Sequence, residues 1–204
     1  MIHISNLAFS YGSKDVLRNI TMDLEPGRIY GLLGENGVGK TTLLTLLSGL
    51  KKPKAGTIDI DGTDPFLRRA SLLQEIYFLP DEVMAPNQKA SSFATSYGCF
   101  YPRFDMDRFR TIMSEFDVDA EQKMNTMSSG QLKKTYISFA LASSVRYIFL
   151  DEPTNGLDIP SKTQLRKALT LHTLEDSTII ISTHQVRDLE NIIDPIIILD
   201  TQDV

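Results

Sequence analysis

The 204-residue chain is short of cysteine, of basic charge and of long apolar runs, and each shortage narrows what it can do. Its one cysteine, Cys99, has no partner for an internal disulfide, which fits a reducing cytosol. With 21 Lys and Arg against 26 Asp and Glu, the net charge is −5. A chain of that balance carries no electrostatic footprint for nucleic acid. The longest apolar runs, such as Ile196 to Leu199, are only strand-sized, far below the ~20 residues that cross a bilayer. The N-terminal Met1-Ile2-His3-Ile4-Ser5-Asn6 also lacks the basic start and apolar stretch of a signal peptide. Any membrane role is expected to run through a partner.

What is present suits one folded domain with a substantial core: 42% hydrophobic and 23% charged residues, with no repeat or low-complexity tract. The most informative stretch is Gly34-Glu35-Asn36-Gly37-Val38-Gly39-Lys40-Thr41-Thr42. It fits the phosphate-loop pattern G-x-x-x-x-G-K-[ST], with an apolar run (Ile29 to Leu33) before it and a helix-forming stretch (Thr41 to Leu50) after it. Glycines let successive backbone N–H groups turn inward around a polyphosphate, and the helix behind adds its unpaired first-turn donors. Lys40 is the candidate for the terminal phosphates, and the Thr41 hydroxyl for a Mg²⁺ ion.

Strands are expected at Ile2 to Phe9, Val16 to Leu24, Ile29 to Leu33, Thr57 to Ile60 and Ile76 to Leu79, then at Tyr147 to Leu150, Thr178 to Ile181 and Ile196 to Leu199. Between the fifth and sixth the pattern turns helical. Phe109, Ile112, Met113 and Phe116 recur at i, i+3, i+4 and i+7, with Asp105 or Asp107 as the cap. Short apolar strands separated by helical stretches predict an α/β fold with a mostly parallel sheet covered on both faces. The helical stretch, about 84–145, reads as a small insertion between two halves of that core. Its aromatics Phe93, Tyr97, Phe100, Tyr101 and Phe104 are expected to form its interior rather than a docking face, with room for some to do both.

Tyr147 to Leu150 empties into Asp151 and Glu152, candidates for a metal ligand and for a proton acceptor at the attacking water. His184 follows the strand Thr178 to Ile181 and is placed to meet a γ-phosphate or that water. Phosphate loop, carboxylates and histidine all lie after the carboxyl ends of expected strands, the edge where open α/β sheets bind ligands. Tyr11 is the candidate platform for a base, since aromatic stacking contributes roughly 1–3 kcal/mol per base. Met127-Ser128-Ser129-Gly130-Gln131 opens a helix running to about Ser143. Ser128 or Ser129 reads as its N-cap, yet the same residues make a second anion site, which one nucleotide hardly needs unless a neighbouring subunit uses it.

These pieces, in this order, resemble the nucleotide-binding subunit of ATP-binding-cassette transporters. The resemblance implies a P-loop NTPase core with an N-terminal antiparallel β portion and a small helical subdomain, all in a single cassette domain spanning 1–204. It makes Tyr11 the adenine-stacking aromatic, Gly34 to Thr42 Walker A, Tyr147 to Glu152 Walker B, and Met127 to Gln131 the signature motif. Asn155-Gly156-Leu157-Asp158 becomes the D-loop, with Asp158 at the nucleotide, and His184 the switch histidine. Three departures stand out, one being that the chain stops at Val204, soon after Ile196 to Leu199, where family members usually continue. Where the family carries glutamine, this chain has Leu79-Pro80-Asp81-Glu82, making Asp81 a candidate for Mg²⁺ through water. Ser129 replaces the first signature glycine but keeps its backbone donor. The Leu79–Glu82 segment and Tyr101-Pro102-Arg103-Phe104-Asp105 look like the exporters linked to bacitracin resistance and sodium efflux.

The implied function is Mg²⁺-dependent ATP hydrolysis by a subunit that energises a separate membrane permease for export. The expected partners are a second nucleotide-binding subunit, identical or a paralogue, and an integral-membrane permease, with the chain peripheral at the cytoplasmic face of the membrane. The rival reading is a soluble cassette ATPase of DNA repair or translation; the acidic balance and the lack of a coiled-coil insertion stand against it. A GTPase is a further rival, and the guanine-reading Asn-Lys-x-Asp occurs nowhere in the chain.

Overall fold

The computed structural model describes residues 1–185, 192–193 and 195–200. Along the chain run β1 (Ile2–Tyr11), β2 (Lys14–Leu24), β3 (Ile29–Leu33), α1 (Lys40–Leu47), β4 (Ala55–Ile60), α2 (Ala70–Leu73), β5 (Ile76–Leu79) and α3 (Ala90–Gly98). They are followed by α4 (Met106–Glu115), α5 (Ser129–Ala142), β6 (Tyr147–Asp151), α6 (Ile159–His172), β7 (Thr178–Thr183) and β8 (Ile196–Ile198). Two sheets result. β2-β1-β4 is antiparallel, its first two strands joined through Gly12 at φ 60°, the left-handed conformation tight hairpins require. β5-β6-β7-β3-β8 is parallel at every pairing.

The strands alternate between two cores because successive side chains leave opposite faces of the sheet. From β6, Tyr147 and Phe149 pack with Leu32, Leu43 and Leu44 and the inward face of the antiparallel sheet. Ile148 and Leu150 from the same strand pack with the helices α3 to α6. Both faces of the parallel sheet are thereby covered, and its strands read as continuous apolar runs for that reason.

The amphipathic helix lies where its spacing predicts, as α4. Phe109, Ile112, Met113 and Phe116 are fully buried, and Asp105 is the cap, accepting from the N–H groups of Asp107 (2.9 Å) and Arg108 (3.0 Å). The aromatic cluster divides between interior and surface. Phe93, Tyr101 and Phe104 surround Phe139 of α5 with ring centroids 5.2, 5.7 and 5.1 Å away. Tyr97 and Phe100 instead remain exposed, Phe100 at 63%. The end of α3 turns them outward, where they line an apolar groove with Leu73, Tyr77 and Phe78.

Register sets where chemistry can occur. Leu33 pairs with Thr183, Asp151 with Ser182, and Leu79 with Leu150. The carboxyl ends of β5, β6, β7 and β3 therefore reach one edge side by side, and the residues that follow them meet there.

Candidate functional site

The phosphate loop leaves β3 and turns into α1 through three glycines with positive φ: Gly34 at 156°, Gly37 at 83° and Gly39 at 118°. Two of them also lack room for a side chain. A Cβ on Gly34 would lie 2.6 Å from the Leu199 carbonyl oxygen, and one on Gly39 2.7 Å from Leu17. Gly39 is the N-cap of α1, so the first-turn amides of the helix open toward the loop. Lys40 is buried, and its ammonium donates to the carbonyls of Gly34 (2.7 Å) and Glu35 (3.2 Å) inside the loop.

The two carboxylates follow β6. Asp151 is nearly inaccessible, and accepts from Thr41 Oγ1 at 2.6 Å and from Ser182 Oγ at 2.5 Å. Glu152 stands 3.6 Å from the Lys40 ammonium and 3.0 Å from His184 Nδ1. The histidine after β7 is thus held against the candidate base. Glu152 has φ 46°, a left-handed conformation that costs a residue with a side chain on the order of 1–3 kcal/mol. Its N–H offsets this by donating to both the carbonyl (3.2 Å) and the hydroxyl (2.9 Å) of Ser182.

Tyr11, at the end of β1, is half exposed. Its hydroxyl is 3.4 Å from Thr42 Oγ1, and the Lys51 ammonium lies 4.6 Å from the ring centre. The bond to Thr42, then Lys51, hold its phenol below the usual tyrosine range. Asp81, after β5, engages Lys133 Nζ at 3.0 Å and the Asn155 amide at 3.4 Å. Tyr11, Asn36, Gly37, Gly39 to Thr42, Asp81, Asp151, Glu152 and His184 together line one cleft of about 460 Å³. Gly34, Glu35 and Val38 complete the loop behind it.

Ser128, Ser129, Gly130 and Asp158 are elsewhere. They line a separate cleft with Gly156 and Ser161. Ser128 is the N-cap of α5 in a reciprocal capping box: its hydroxyl accepts from Gln131 N–H (3.2 Å), and the Gln131 side chain accepts from Ser128 N–H (3.0 Å). Asp158 caps α6 through Ser161 N–H at 2.9 Å, and the bonds to Ser161 hold its carboxyl below the usual range.

A glycine-wrapped anion cradle, a buried lysine, a hydroxyl–carboxylate pair and a histidine-held carboxylate share the first cleft. Residues 17–155 match the family model described as ABC transporter. The chain belongs to the ABC transporter family. It is an ATP-binding subunit of that family, by its motifs and its relatives alike. The ABC transporter ATP-binding protein YtrB of Bacillus subtilis is 28% identical over 93% of this chain, which spans 65% of YtrB's length. The lantibiotic transport ATP-binding protein SrtF of Streptococcus pyogenes is 29% identical over 95% of this chain and 84% of its own. In fold, the chain matches an ATP-binding cassette solved as a dimer in a post-hydrolysis state with ADP and Pi. The TM-score is 0.84 at 22% identity, covering 100% of this chain and 96% of that one.

The donors of this ABC subunit suit Mg²⁺, a hard cation that takes one or two carboxylates plus substrate phosphates. The Thr41 hydroxyl and the Asp151 carboxylate are oxygen donors already in contact. Among the described residues no group of three or more His, Cys, Asp or Glu is placed to hold a metal by itself. Three residues of the cassette escape a reading of motifs. Ser182 bonds both Asp151 and the Glu152 backbone, Lys51 covers the Tyr11 ring, and Lys133 binds Asp81. Ser182 is an unremarked serine near the end of an apolar strand until the register of β6 and β7 puts it opposite Asp151.

Proposed function

We propose that this subunit binds and hydrolyses ATP with Mg²⁺ and energises export through a separate membrane permease. One observation carries the reading: the phosphate loop, Asp151, Glu152 and His184 converge in one cleft at the carboxyl edge of adjacent parallel strands. The phosphate loop and Lys40 hold the phosphates, Thr41 and Asp151 hold the metal, and Tyr11 stacks the adenine. The metal, when bound, neutralises charge on the phosphates and orients them. Glu152 takes the proton of the attacking water, with His184 fixing its carboxylate. Two subunits pair head to tail, so that Ser128, Ser129, Gly130 and Asp158 of one close over the nucleotide of the other and supply the missing donors. That these four lie in a cleft of their own supports a site completed by a second chain, as does the dimeric assembly of the matched cassette.

Among the described residues no helix is long and apolar enough to cross a membrane; in this reading the spanning segments belong to the permease, and the cassette sits at its cytoplasmic face. The relative in lantibiotic transport supports a transport role. Co-expression with a multi-span membrane protein encoded beside this gene tests the whole reading. A stable complex whose ATPase rate exceeds that of the subunit alone is expected. Recovery with nucleic acid and no membrane subunit would favour the repair or translation class instead.

Asp81 completes the metal site through water. One of its oxygens faces Lys133, while the other carries only the longer 3.4 Å contact to Asn155. Asp81→Ala is expected to raise the Mg²⁺ concentration needed for half-maximal hydrolysis and to leave metal-free nucleotide binding intact. Asp81→Gln restores the family's residue, keeps an acceptor for Lys133 and is expected to retain activity. Superimposable Mg²⁺ curves for Asp81→Ala and the unmodified chain would remove this residue from the metal site.

A further inference from the structure

Lys133 is a charged residue with 5% of its surface exposed, on the second turn of α5, and no motif accounts for it. Its three N–H donors meet three acceptors from two segments far apart in the chain. These are Asp81 Oδ1 after β5 (3.0 Å), the Glu152 carbonyl after β6 (3.1 Å) and the Asn155 carbonyl in the following loop (3.2 Å). A buried ammonium paired with a half-exposed carboxylate is a poor device for stability, since well-packed apolar side chains of similar volume serve as well or better. What an ammonium adds here is a geometric constraint.

The constraint falls on Glu152. Its φ of 46° is rare for a residue with a side chain, and such conformations persist only where the surroundings over-determine them. Ser182 holds the N–H side, while Lys133 and the Asn155 N–H (3.1 Å) hold the carbonyl side. That backbone conformation directs the carboxylate to Lys40 and His184. Lys133 itself is not part of the wall of the nucleotide cleft.

We propose that Lys133 is a positioning residue for hydrolysis: its buried ammonium fixes the backbone from which Glu152 projects, and its ion pair with Asp81 ties the segment after β5 to that backbone. The carboxylate at position 81 and the ammonium at 133 are then two halves of one device. Because α5 begins at the signature residues, a shift of that helix acts on the catalytic glutamate through a single side chain. This rests on the hydrolytic reading given above.

The test compares Lys133→Met and Lys133→Gln with the unmodified chain under conditions where the latter turns over ATP, and repeats Lys133→Met in a Glu152→Gln background. Lys133→Met is expected to lower kcat by on the order of 10²-fold, the effect of misplacing a reacting group by about 1 Å. KM and the ATP affinity from a binding titration stay unchanged. Lys133→Gln keeps two donors for the two carbonyls and loses less. In the Glu152→Gln background, Lys133→Met is expected to cause no further loss of single-turnover rate, because both changes act through one group. A generally weakened fold would lower that residual rate again. An unchanged kcat in folded Lys133→Met, or an equal further loss in the Glu152→Gln background, overturns the proposal. If Lys133→Met fails to fold by circular dichroism, Lys133→Gln decides by the same two criteria. An unmodified chain that binds ATP and never turns it over, alone or with its permease, defeats the hydrolytic reading itself, and this role with it.

Discussion

Lys40→Ala is expected to abolish tight ATP binding while leaving the fold intact. The ammonium it removes sits among the carbonyls of Gly34 and Glu35, at the centre of the loop that would wrap the phosphates. Bonds from a charged donor contribute about 1.5–3 kcal/mol each, so losing two to a polyphosphate weakens affinity by on the order of 10²- to 10⁴-fold. A second effect adds to the first. Lys40 is also the cation 3.6 Å from Glu152, and both side chains are buried. Without it, an uncompensated carboxylate faces the incoming phosphates, and like charges repel strongly where water is scarce. The measurement is a direct titration of ATP, with circular dichroism as the control for folding. Unchanged affinity would dismantle the phosphate-loop assignment.

Glu152→Gln separates binding from turnover. The amide has nearly the shape of the carboxylate, and its oxygen still accepts from Lys40 or His184, so the loop and the metal pair are undisturbed and ATP binds. It has no basic oxygen to take a proton. General-base catalysis contributes about 10²- to 10⁴-fold, and single-turnover hydrolysis is expected to fall by that factor. If Ser128, Ser129 and Gly130 of a second chain complete the site, the closed pair forms with ATP and is not discharged. Light scattering with ATP and Mg²⁺ should therefore show a dimer for this variant. Monomer alone would remove the main support for a site shared between chains.

Much of the site was legible because its chemistry is written in contiguous residues. The spacing of Gly34, Gly39, Lys40 and Thr41 carries the loop's backbone requirements directly, and the apolar run into Asp151 and Glu152 marks a buried strand ending in carboxylates. The α4 stripe was equally plain, since Phe109, Ile112, Met113 and Phe116 fall on one face at helical period. The end of α3 was legible only in part, for an equally physical reason. Aromatic content says that a segment buries surface, but only the direction of the helix end decides that Phe93 goes in and Tyr97 and Phe100 go out.

Local sequence thus determined the parallel α/β class, the phosphate loop, the carboxylate pair and the capped start of α5, because each depends on side chains within a few residues of one another. Tertiary structure alone decided which of these share a cleft. The pairing of Asp151 with Ser182 places a serine hydroxyl between the Asp151 carboxylate and the Glu152 amide. The packing of α5 against the ends of β5 and β6 brings Lys133 to residues 52 positions before it and 19 and 22 after it. The same packing separates Ser128 to Gly130 from the phosphate loop. Contacts of that range come from strand register and helix packing, which are set by how two whole apolar faces fit, and no short stretch of sequence carries that information.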